Sequence, residues 1–74
     1  MINLDTFVKQ SGNCAIAAAL QLLRRDPPAA TYEYGFIFGF LMAASAYYKL
    51  TREELNALCY ELDSIYTDPS AWKD

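Results

Sequence analysis

At 74 residues the chain bounds itself to one small domain, near the lower size at which a single core folds without staples. It has no histidine and only three glycines, and its two cysteines stand far apart, so the commonest acid–base group, a clustered zinc site and a phosphate-cradling loop are excluded. Six Lys and Arg against nine Asp and Glu leave a net charge of −3, with Arg24-Arg25 as the single adjacent basic pair, which argues against nucleic acid as a partner.

The first predicted element is a short helix over roughly 4–10. Asn3 is placed to cap it, and Leu4, Phe7 and Val8 share one face. Gly12 suits the left-handed position that ends a helix. Asn13 then caps a second helix, about 14–25, with Ile16, Ala19, Leu20 and Leu23 on one stripe and alanines at 15, 17, 18 and 19. Arg24 and Arg25 occupy its last turn, where cations favour the negative end of the dipole, and Asp26-Pro27-Pro28 stops it.

The third helix, about 31–48, carries no charge from Tyr34 to Tyr48, and such a pattern predicts a helix buried on every side. Gly35, Gly39 and Ala43 recur every four residues. Each glycine inside a helix costs about 1 kcal/mol against alanine, so a compensating close helix contact is expected there. The partner in that contact is either the alanine-rich second helix or the third helix of another copy. The fourth helix opens on a capping box, Thr51 with Glu54, flanked by the apolar pair Leu50 and Leu55. Leu55, Leu58, Leu62 and Ile65 form its inner stripe, and it ends near Tyr66. Only Lys49 and Leu50 separate the third and fourth helices, so the two pack as antiparallel or sharply angled neighbours.

The sum is an all-α fold: one domain over residues 1–74, three main helices and a short N-terminal one around an apolar central helix. Cys14 and Cys59 both fall at apolar helix positions and are expected as buried free thiols. The first residues lack the basic and long apolar regions of a secretory leader, which reads as a cytoplasmic protein.

Function is constrained mainly by subtraction. Ser11, Ser45 and Ser64 have no base to activate them, Glu54 is committed to its cap, and Glu53, Glu61 and Asp63 read as a solvated helix face. No catalytic residue, metal ligand or cofactor is therefore assigned. The apolar fraction is 54%, more than so short a chain is expected to hide, which points to a covering partner. The reading is a non-catalytic protein-binding module, an adaptor, antagonist or regulator, and a homodimer. Gly35, Gly39 and Ala43 are its helix or dimer contact, and Arg24, Arg25, Tyr47, Tyr48 and Trp72 its partner-binding candidates. Two alternatives stand beside it. One is a membrane protein spanning with residues 30–50, although the charge-free run is short for a bilayer. The other is a carrier holding an apolar ligand among Phe36, Phe38, Phe40 and Met42.

Overall fold

In the computed structural model, which describes residues 3–67, four α-helices and one 3₁₀ turn follow in chain order: α1 (Leu4–Ser11), α2 (Cys14–Arg25), the turn Pro27–Ala29, α3 (Thr31–Tyr47) and α4 (Arg52–Thr67). No strand occurs among the described residues. The all-α bundle expected from sequence is the one that forms.

Local chemistry sets nearly every boundary. The Thr6 N–H donates to Asn3 Oδ1 at 2.8 Å and starts α1. Gly12 ends it at φ 69°, its N–H bonded to the Lys9 carbonyl. The Ile16 N–H donates to Asn13 Oδ1 at 3.1 Å and starts α2. At α4 the capping box closes in both directions: the Glu54 N–H donates to Thr51 Oγ1 at 3.1 Å, and the Thr51 N–H donates to Glu54 Oε1 at 2.8 Å. The 3₁₀ turn takes up the diproline, and α3 follows it with no side-chain cap on its first turn.

The α3–α4 joint is a Schellman turn. The Leu50 N–H donates to the Ser45 carbonyl at 2.8 Å and the Lys49 N–H to the Ala46 carbonyl at 3.3 Å. The position between them must be left-handed, and here it is Lys49 at φ 55° rather than glycine. An L side chain in that region costs roughly 1–2 kcal/mol. Lys49→Gly is therefore expected to stabilise the fold by about 1 kcal/mol, raising the melting temperature by about 4–8 °C, read by thermal denaturation followed by circular dichroism.

Each helix points branched aliphatics inward, and Leu22 of α2 is left exposed. Leu4 and Val8, Ile16, Leu20 and Leu23, Ile37 and Leu41, and Leu58, Leu62 and Ile65 are all buried in one core with Phe7 and three alanines. α3 packs against both α2 and α4, and α1 closes the end between α2 and α4. Aromatic contacts seal the joint: Phe7 meets Phe40 at 6.0 Å and Tyr48 edge-on at 5.4 Å.

Two polar contacts tie α1 to distant parts of the chain. Arg24 donates to Asp5 at 2.8 Å, tying the end of α2 to α1. The Leu4 N–H donates to Glu61 Oε2 at 2.8 Å, so α4 supplies a partner for a free donor of the first turn of α1. Burial pushes the Glu61 carboxyl up; the Leu4 N–H opposes this, the Asp5 charge reinforces it and the Arg24 charge opposes it. The folded state thus holds this proton more tightly than the unfolded chain. The contribution of this site to stability is complete below the unfolded pKa and is lost as pH rises through the higher folded value. Glu61→Gln keeps an acceptor for Leu4 and cannot ionise. Urea denaturation should show its stability gaining on the wild type as pH rises from the acid range towards neutrality, and a pH-independent difference would contradict this.

Two expectations are corrected. α3 is not buried on every side: Ile37, Leu41 and Ala44 are inside, but Tyr32, Phe36, Met42 and Tyr47 are exposed. Nor is Cys14 buried. It lies two residues before Ile16, about 200° around the helix from it, and so faces outward, while Cys59 is half-buried. Both thiols are free.

Candidate protein-docking face

α3 is 17 residues and about 25 Å long. Its inner third, Ile37, Leu41 and Ala44, is claimed by the core. Its two flanks are claimed by neighbours. On one side Phe40 packs on Phe7; on the other Tyr34 stacks on Tyr66 at 4.5 Å between ring centres. The Tyr34 hydroxyl donates to the Asp63 carboxylate, and the Thr31 and Tyr66 hydroxyls are hydrogen-bonded to each other at 2.9 Å. These contacts fix α3 rotationally on α4. They also keep Tyr34 protonated: its hydrogen bond to Asp63, then burial, then the charge of Asp63 push it up to about 12.

The remaining third of α3 faces away from the bundle. It contains Tyr32, Gly35, Phe36, Gly39, Met42, Ala43, Ala46 and Tyr47, all exposed and none charged. These positions follow helical spacing, so they form one continuous strip. A β-carbon built on Gly35 or Gly39 would meet nothing within 4 Å, so the glycine stripe makes no close contact inside the chain. The version of the contact between this stripe and α2 is thereby corrected: α2 meets the aliphatic face of α3, not the small-residue face. What the glycines do create is a shallow channel along the outside of the helix. Phe36, stacked at 6.1 Å on Tyr32, stands on one side of it, and Met42 on the other.

The sequence candidates divide over two places. Gly35, Gly39, Ala43 and Tyr47 all belong to the outer strip. Tyr48 turns back onto Phe7, and it also touches Tyr47 at 4.9 Å. Arg24 is held by Asp5 beside an open groove of about 250 Å³ between α1 and α2, while Arg25 is exposed at the end of α2. Trp72 lies outside the described residues. The strip also takes in Tyr32, Phe36 and Met42, which are not among the five partner-binding candidates; Phe36 and Met42 belong to the suggested ligand lining.

The apolar residues suggested as a ligand lining do not converge. Phe36 and Met42 are exposed, whereas Phe38 and Phe40 pack against the core from opposite flanks of α3, Phe38 near Tyr34 and Phe40 near Phe7. Among the described residues no cluster of three or more Cys, Asp or Glu could hold a metal, and no buried side-chain polar atom lacks a partner. Burial, then the charge of Asp63, raises the Cys59 thiol, which keeps it in its less nucleophilic form. No described helix is long and apolar enough to cross a membrane.

No protein-family model matches the chain. Comparison with curated proteins and with solved structures gives no match either.

Proposed function

We propose that this chain is a non-catalytic protein-binding module, an adaptor, antagonist or regulator that acts stoichiometrically by docking another protein chain on the outer strip of α3. One observation carries the reading: an uncharged, continuously apolar helix face is left uncovered while every charged residue of the described helices lies elsewhere. Tyr32, Phe36, Met42 and Tyr47 are 76, 41, 42 and 80% exposed. At about 200 Å² for a side chain of this size they present on the order of 500 Å² of side-chain surface, towards the top of the range for the largest patch on a monomer. Tyr and Met are also types enriched where proteins meet. Two free thiols, one of them exposed, fit a reducing compartment and support a cytoplasmic setting.

The test is site-specific photo-cross-linking in the source cells. Benzoyl-phenylalanine replaces Phe36 in one variant and Glu53, on the wet side of α4, in another. Protein adducts at position 36 and none at position 53 are expected. Equal yields at both positions, or none at 36, would remove the reading.

A further inference from the structure

We infer that the occupant of the outer strip of α3 is a second copy of this chain, in an antiparallel helix pair that crosses at Gly39. The inference rests on reading that strip as a protein-docking face.

Three observations select this partner. The first is register. Gly39 is the midpoint of α3, eight residues from either end, and it is the centre of the Gly35-Gly39-Ala43 channel. A two-fold axis there overlaps the two helices along their full length. At about 100° per residue, Gly35 and Met42 lie on one edge of the strip, and Phe36 and Ala43 on the other. An antiparallel two-fold brings like edges together at mirrored heights. Two of the large side chains then land on small ones of the other copy, Met42 on Gly35 and Phe36 on Ala43, while Tyr32 meets the Ala46–Tyr47 end of the other strip. The open space over both glycines is what admits them. A parallel pair crosses the edges and sets Phe36 on Gly35 and Met42 on Ala43, so packing admits either orientation and charge decides between them.

The second observation is charge. Glu33 stands in the first turn of α3 and Lys49 just past its last. Antiparallel pairing directs each Glu33 towards the Lys49 end of the other copy and opposes the two helix dipoles favourably. Parallel pairing brings like charges together. The third is area. The strip presents on the order of 500 Å² per copy, so a pair covers about 1,000 Å² in total, the lower bound for a specific interface. A second copy supplies an apolar face of the same extent, so the contact covers both strips without desolvating a charge.

Light scattering on the eluting protein should give twice the 8.4 kDa chain mass. Gly39→Leu fills the crossing point from open space, so the chain should keep its helical spectrum and lose dimer affinity by roughly 100-fold or more, about 2.7 kcal/mol. Gly39→Ala serves as the milder variant should leucine perturb the fold, with the same direction of change. Orientation is read in a Cys14→Ser, Cys59→Ala background. Chains carrying Gly35→Cys mixed with chains carrying Ala43→Cys should link by a short bis-maleimide, and neither should link to itself. Self-linking of each alone would overturn the antiparallel pair. A wild-type chain that stays monomeric, or a dimer that Gly39→Leu does not weaken, would overturn the inference altogether. Adducts of the position-36 benzophenone with a different protein would, alongside such a monomer, leave the docking reading standing. Absence of any adduct at 36 would remove both.

Discussion

Leu41→Ala is expected to cost about 3 kcal/mol of folding stability and to lower the melting temperature by about 12–24 °C. Leu41 is fully buried on the inner face of α3, in the core that α3 shares with α2 and α4. Truncation leaves a hole at the centre of a three-helix junction, where no single neighbour can collapse to fill it. A domain of this size has only about 4–11 kcal/mol of stability in total, so the loss takes a large share of it. Met42→Ala, one residue along the same helix, removes an exposed side chain and should change monomer stability by less than about 0.5 kcal/mol. Urea denaturation of both variants at one low protein concentration checks the pair, since self-association would add a concentration-dependent contribution. Similar losses for the two would mean that α3 is rotated from the orientation described.

Adjacent residues with such different expected effects show where sequence patterning informs and where it is silent. The helix boundaries were legible because capping is a contact between residues three apart. Asn3, Asn13 and the Thr51–Glu54 pair carry their partners with them in the chain. The inner stripes of α1 and α4 were legible because polar residues mark the opposite side, and that of α2 because its large aliphatics stand out against alanines. α3 offers no such contrast: it is apolar around its whole circumference, so helical periodicity could not distinguish inside from outside, and the buried-all-round reading followed. A finer signal was present. In every other helix branched aliphatics make up most of the buried stripe, beside Phe7 in α1 and Ala19 in α2, and in α3 only Ile37 and Leu41 match them. Reading by branching rather than by polarity would have turned the glycines and the larger exposed side chains outward.

The contacts between residues far apart in sequence were not legible. Glu61 on the Leu4 N–H spans 57 positions, and Tyr34 on Asp63 spans 29. Each joins polar residues whose local setting reads as an ordinary solvated or aromatic helix position. They matter to the candidate site because they fix the rotation of α3 and the seat of α1. The outer strip of α3 is therefore presented by a helix that is held on its inner face and both flanks.

That rigidity makes Phe36→Asp the most informative single change on the surface. Phe36 is 41% exposed, and it stacks on Tyr32 rather than on the core. A carboxylate there is solvated in the free chain, so the helical spectrum should be kept, and loss of the Tyr32 stack should cost the monomer about 1 kcal/mol. In a docked complex the same carboxylate would be carried into an apolar contact with no cation beside it, since the strip is uncharged from end to end. Loss of the ring and burial of the charge act in the same direction. Together they should weaken association by roughly 30-fold to 1,000-fold, on the order of 2–4 kcal/mol, the size expected of a central anchor. Sedimentation equilibrium measures the effect on self-association, and the cross-linking yield from a benzophenone at position 32 measures it for any other protein. Glu53→Arg, on the wet side of α4, is the matched charge change and should alter neither. A Phe36→Asp chain that associates as tightly as the wild type would place the docking surface elsewhere on the bundle, with the groove between α1 and α2 beside the Arg24–Asp5 pair as the next surface to test.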